Sequence, residues 1–315
     1  MSWAAHELES YFIQKHAKIK VSYLAILLGC LLPDLMTKLP VYGFHIGSFG
    51  FAAQRNPWEY HRGWPGVGFT HTLIFGAVVA TIVLWRTGSR AWFLGLLLGD
   101  WAHVLTDVFD SVGTMVLFPF TTQHYTIGMW AYAAQEGRYG DAAAYYSSLG
   151  GVWDFLWLCL AVSGWRVFSR SYFFSTVVPA DPAWGWLRRR FNLSQRAMLA
   201  LYRAYFFYGG CRIFAWFIWA RLLNPRRGIE RLDWTWGGPS WVAKATPEHH
   251  GIADFLVHTA IGVAGLAVTL YLGWVLLVRR WWRAGASAEA GQLAGEEPRP
   301  VGGDAVDARV EQRGV

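Results

Sequence analysis

The chain has 315 residues, of which 54% are hydrophobic and only 16% charged, and it carries 20 Trp, 14 Tyr and 20 Phe. Soluble domains hold roughly a quarter charged residues, so this composition argues against a large soluble protein and for a chain that meets two membrane–water interfaces. The net charge of +7 does not point to nucleic acid, because the arginines fall at the ends of apolar runs, where orientation signals and lipid headgroups account for them.

In chain order, Ser2 to His16 places Trp3, Leu8, Tyr11 and Phe12 near one helical face and reads as an N-terminal helix. It is polar enough that no cleavable signal peptide is expected. Lys15, Lys18 and Lys20 form a basic turn, and a short span follows from about Val21 to Met36, ending in Pro33-Asp34. Residues 37–68 are too rich in Gly and Pro for a span and read as a loop. A second span covers about Phe69 to Trp85, and a turn from Arg86 to Arg90 leads to a third, about Ala91 to Phe109. Residues 110–148 make a long, nearly neutral connection. Span four is about Gly150 to Phe168, with Arg166, Arg170 and Arg188-Arg189-Arg190 after it. Span five is about Ala197 to Leu222. The loop 223–250 holds Trp234, Trp236, Trp241 and His249-His250, and span six runs from about Gly251 to Val278 to Arg279, Arg280 and Arg283.

The expected fold is therefore all-α, a polytopic membrane helix bundle of about six spans plus an N-terminal helix. Beyond Ala284 an Ala/Gly/Glu-rich stretch without apolar period reads as a disordered tail, residues 284–315. Most basic turns fall on one side, which the positive-inside tendency makes cytoplasmic; Arg226, Arg227 and Arg231 oppose this. Cys30, Cys159 and Cys211 lie in apolar runs without CxxC spacing and read as small core residues.

The chemistry sits at the end of span three. Asp100, His103 and Asp107 are three and four residues apart and share a helix face, and Asp110 extends the stripe by a turn. Ionisable groups inside a span are costly unless paired or coordinated, and His-x-x-x-Asp lets an imidazole and a carboxylate grip one cation from consecutive turns. A structural His–Asp hydrogen bond between helices is the plainer alternative. Where odd spans end and even spans begin, Asp34, His71 and Asp107 converge, with His61 just ahead of span two. An N-terminal helix running away from that face brings His6 back to it.

Taken together, His6, Leu32-Pro33-Asp34, His61-Arg62-Gly63, Thr70-His71-Thr72, Gly99-(x)3-His103-(x)3-Asp107, Gly113 and Phe118-Pro119 resemble the YdjM-type family, bacterial inner-membrane proteins described as metal-dependent hydrolases. The order His, Asp, His, His-x-x-x-Asp is also similar to the metal-ligand layout of zinc-dependent phospholipase C. The resemblance covers about residues 1–125 and implies His6, Asp34, His61, His71, His103 and Asp107 as metal ligands. It makes 1–125 the hydrolase-like region and leaves 126–283 as additional spans. Two departures stand out: Met36 holds the place of a second acid after Pro-Asp, and Trp64 to Phe69 separates the His-Arg-Gly and Thr-His elements.

The resulting expectation is a membrane-bound metal-dependent hydrolase of the inner membrane with its site on the non-cytoplasmic side. Divalent ions there would activate water and clamp a phosphoryl or carbonyl oxygen. Zinc suits the mixed imidazole and carboxylate set, with manganese or magnesium as alternatives. Arg62 would steady an anionic substrate, and Asp100 would orient His103 or act as general base. The expected partners are membrane lipids and a lipid-linked or other phosphoester substrate. His124 is a candidate for a second metal position, His249, His250 and His258 stand further off, and His16 and His45 read as solvated. The rival classes are a non-catalytic membrane scaffold and a cation- or proton-coupled transporter.

Overall fold

The computed structural model describes residues 2–42, 44–51, 61–63, 67–130, 142, 144–223 and scattered positions between 264 and 283. Most of span six, the loop with Trp234, Trp236, Trp241, Arg226, Arg227, Arg231, His249 and His250, the residue His258, and the tail 284–315 lie outside the described residues.

The chain is mostly helical, as expected. Helix α1 (Trp3–His16) is started by Ser2, whose side chain accepts from the Ala5 N–H at 3.3 Å. Residues Ala4 through Tyr11 are buried on every side, which is why α1 shows only a weak apolar stripe: it is a core helix. Helix α2 (Tyr23–Tyr42) carries on through Pro33-Asp34, where the sequence suggested an end. The Thr37 hydroxyl there donates to the Pro33 carbonyl at 3.1 Å. Strands β1 (Phe44–Ile46) and β2 (Phe49–Phe51) then pair antiparallel about Gly47, which takes a φ of 62°. This short hairpin replaces part of the expected loop, and isolated bridges pair Asp110 with Trp130 and Thr114 with Tyr125.

A 3-10 turn, Gly68–Thr70, precedes helix α3 (Leu73–Thr87), which the Thr72 side chain caps by accepting from Phe75 N–H at 3.2 Å. Gly88, left-handed at φ 68°, ends α3, and Ser89 caps α4 (Arg90–Asp107). Helix α5 spans Leu149–Ser163. Next comes α6, made of Arg170–Tyr172, the π-helical Phe173–Val177 and Val178–Ala180. Asp181 caps the short α7 (Pro182–Phe191), and α8 (Gln195–Ile218) continues into a π-helical turn, Trp219–Leu223.

The most extensive packing is α2 against α4, with α3 on the other flank of α4 and α1 held among α2, α5 and α8. The α2–α4 seam is lined by Gly29, Gly95 and Gly99. A Cβ on Gly29 would stand 2.5 Å from the Leu96 carbonyl oxygen, and one on Gly99 would stand 2.9 Å from Cys30 N. Small residues are what let two helix backbones come this close.

Among the described residues no helix is long and apolar enough to cross a membrane. Helices α3 and α5 have 15 residues each, about 22 Å at about 1.5 Å per residue, against a hydrocarbon layer of about 30 Å. The 18 residues of α4 include Arg90, Asp100 and Asp107. Large apolar side chains nevertheless face outward, among them Trp85 (75% exposed), Val78 on α3 and Phe207 on α8 (61%). Apolar surface of this extent marks a lipid or partner contact.

Candidate metal centre

Five segments deliver the His and Asp side chains to one buried place. The first turn of α1 supplies His6, the middle of α2 Asp34, the 61–63 turn His61, the residue after the 3-10 turn His71, and the last turns of α4 His103 and Asp107. All six are at most 2% exposed. His61 Nε2 lies 3.2 Å and His71 Nε2 3.6 Å from Asp34 Oδ1. His103 Nε2 lies 3.2 Å, His71 Nε2 3.9 Å and His6 Nε2 3.5 Å from the two oxygens of Asp107. The His6 and His103 rings stack at 3.7 Å with 14° between their planes. Three overlapping triads (His6, Asp34, His103; Asp34, His61, His71; His71, His103, Asp107) bring their ligand atoms within 4.8 Å of one another.

The outward nitrogens explain the inward ones. His6 Nδ1 meets Glu9 Oε2 at 3.1 Å, His103 Nδ1 meets the Cys30 carbonyl oxygen at 2.7 Å, and His71 Nδ1 meets the Thr70 hydroxyl at 3.2 Å. The Thr70 hydroxyl itself donates to the Val67 carbonyl, so it accepts from His71 Nδ1–H. A carbonyl or carboxylate can only accept, so Nδ1 carries the hydrogen in each case and Nε2 offers a lone pair toward the carboxylates. Among the described residues the Nε2 atoms of His6, His71 and His103 are buried and make no hydrogen bond. Buried lone pairs facing carboxylate oxygens are disfavoured unless positive charge lies between them. Burial resists charging His6, yet the Glu9 and Asp107 carboxylates raise it to about 9, so without a metal a proton on Nε2 supplies that charge. The donor set, imidazoles with carboxylates, fits zinc, and these residues would hold it.

The remaining candidates are placed as follows. Arg62 is 2% exposed, and its Nη2 donates to Asp107 Oδ2 at 2.8 Å while Nη1 donates to Asp110 Oδ2 at 2.6 Å. Asp110 in turn accepts from the Val112 and Gly113 N–H groups, each at 2.9 Å. Arg62 thus fixes Asp107 to the loop after α4. Asp100 is buried, but it faces Gly76 on α3. It does not orient His103, whose Nδ1 belongs to Cys30; Asp100 sits one turn earlier, where the α3–α4 packing takes it. His124 is buried with Nδ1 against the Val112 carbonyl at 3.0 Å, beside the centre but outside the three triads. His16 is exposed, its Nδ1 2.9 Å from the Phe12 carbonyl oxygen. His45 lies in β1, where side chains are not described.

Both departures from the family pattern have a structural counterpart. Met36 packs with Leu32, Phe69, Phe75 and Phe118 in an apolar cluster, so its position faces away from the ligands. The segment between Gly63 and Phe69 leaves His61 in reach, as its 3.2 Å approach to Asp34 shows. Glu9 was missed in the sequence, although it lies three residues from His6 on a helix, the spacing at which side chains meet.

The family model described as YdjM inner membrane protein matches residues 3–173, just over half of the chain. No curated protein and no solved structure was found to be similar to it.

Proposed function

The chain belongs to the YdjM inner membrane protein family, and from that premise we propose that it is a membrane-bound metal-dependent hydrolase whose centre is formed by His6, Asp34, His61, His71, His103 and Asp107. The observation that carries the reading is the set of three overlapping triads, fully buried, with imidazole lone pairs turned toward carboxylates. A divalent ion held there, zinc by its donor set, supplies Lewis acidity and a lowered water pKa. The protein's own part is positional. Thr70, Cys30 and Glu9 hold three imidazoles in one tautomer, Arg62 and Asp110 fix Asp107, and the burial of all six candidate ligands keeps them from bulk water. Arg62, a planar fork already next to the centre, is the group to meet an anionic substrate when it exchanges a carboxylate for a phosphoryl oxygen. A phosphoester, lipid-linked in keeping with a membrane protein, is the substrate class this supports, reached from the non-cytoplasmic side.

The test is metal content of the detergent-purified protein. His103→Ala and Asp107→Ala each remove a ligand from one or more triads, so bound metal should fall while the protein still inserts in the membrane. Unchanged metal stoichiometry in both variants would refute the centre as drawn. Activity toward phosphoesters is then assayed on the metal-loaded wild type.

A further inference from the structure

Glu9 is as buried as any residue of the centre, 0% exposed, and its Oε2 lies 3.1 Å from His6 Nδ1. Among the described residues it forms no ion pair with a lysine or arginine. A carboxylate taken out of water without a cation is strongly disfavoured, so its burial needs explaining. The imidazole explains it only in part, since a neutral ring offers a single hydrogen bond. A cation on Nε2 would polarise the Nδ1–H and turn that contact into a charge-assisted hydrogen bond, the stronger kind. The neighbouring histidines differ here. His103 and His71 lean on a carbonyl and a hydroxyl, and His6 alone of these three leans on a carboxylate. His6 thus has a carboxylate behind it where the other two have neutral acceptors, on the ring that stacks against His103 and points Nε2 at Asp107.

We propose that Glu9 is the positioning residue of the centre: it fixes His6 as an Nε2 donor and strengthens the ion position that His6 shares with Asp34 and His103. This rests on the reading of the cluster as a metal centre. Glu9 does not touch the ion in this arrangement, because Nδ1 and Nε2 lie on opposite sides of the ring.

The experiment uses the full-length protein in detergent, stripped of metal and titrated with Zn2+ alone, in four forms: wild type, Glu9→Gln, Glu9→Asp and Glu7→Gln. Gln keeps the volume and an acceptor oxygen but drops the charge. Glu7 is the control, since it sits on the same helix and pairs with Arg212 at 2.8 Å, so its substitution disturbs α1 packing while leaving the Glu9 contact to His6 Nδ1 in place. Glu9→Gln should weaken zinc binding about 10–100-fold, with Glu9→Asp restoring part of the loss and Glu7→Gln causing a clearly smaller one. Wild-type affinity in Glu9→Gln would overturn the inference while leaving the centre intact. Equal losses in Glu9→Gln and Glu7→Gln would overturn it too, showing that Glu9 only packs α1. Should Glu9→Gln fail to give a monodisperse protein, Glu9→Asp decides, with weakened binding in a folded sample expected and wild-type binding contrary. No zinc bound to the wild type would instead strike the metal-centre reading itself.

Discussion

Asp181 illustrates how a single residue ties distant pieces together. It caps α7 by accepting from the Ala183 N–H at 3.0 Å and accepts a second hydrogen bond, 2.6 Å, from Ser22 at the start of α2. Burial pushes its carboxyl from 3.8 up to about 6, against those hydrogen bonds. The sign follows from linkage. Between about 4 and about 6 the native state keeps a proton that the unfolded chain has released, so its contribution to stability is full below about 4 and is lost as pH rises through about 6. Melting of the detergent-solubilised protein should therefore show a fall over that interval to which Asp181 contributes about 1–3 kcal/mol, and Asp181→Asn should lessen it, with Glu7, raised by burial to about 7, accounting for part of the rest. The same pH profile in the variant would assign the fall to other carboxyls. At this scale the sequence disclosed the acids and imidazoles but not their company. His-x-x-x-Asp was legible because its two members share a helix, whereas the Cys30 carbonyl that orients His103 comes from another helix and is a backbone atom that every residue type carries.

At the scale of elements, the centre is only as well placed as the α2–α4 seam that brings Asp34 alongside His103. Gly29 and Gly99 allow that approach, and a methyl group there meets backbone rather than a side chain that could swing aside. Gly99→Ala should lower stability by about 1–3 kcal/mol, as overpacking does. Gly185→Ala on α7, whose nearest neighbour would be the Arg189 side chain at 3.5 Å, should be neutral or gain up to about 1 kcal/mol of helix propensity. Thermal melts of the two variants side by side check this, and similar effects at both sites would contradict the seam. The glycines were visible in the sequence, but nothing local distinguished a packing glycine from a breaker. The boundaries show the same limit. Helix α2 passes Pro33 and a hairpin follows it, because neighbouring helices hold a segment that Pro and Gly would end in isolation.

For the whole molecule, residues beyond the N-terminal region serve the centre by gripping α1. Asp154 on α5 accepts from Ser2, Tyr145 and Tyr146, Arg212 on α8 pairs with Glu7, and the Tyr11 hydroxyl meets Tyr202 and Phe206 on α8. The helix that carries His6 and Glu9 is thereby held at both ends of its buried stretch. With the family and the outward apolar side chains both pointing to the membrane, the chain should stay in the membrane pellet through an alkaline carbonate wash and leave it in detergent. Recovery in the carbonate supernatant would contradict integral membership.

Composition, the apolar runs and the spacing of His and Asp determined a helical membrane chain and the residues of its candidate centre, because hydrophobicity and helical period are properties of neighbours in sequence. Only the tertiary structure decided that Arg62 is locked to Asp107 and Asp110, that Asp100 turns to α3 instead of His103, and that Glu9 backs His6. Each of these depends on which groups from separate segments find one another once water is excluded, and a charged side chain out of water takes whichever partner the packing brings within reach.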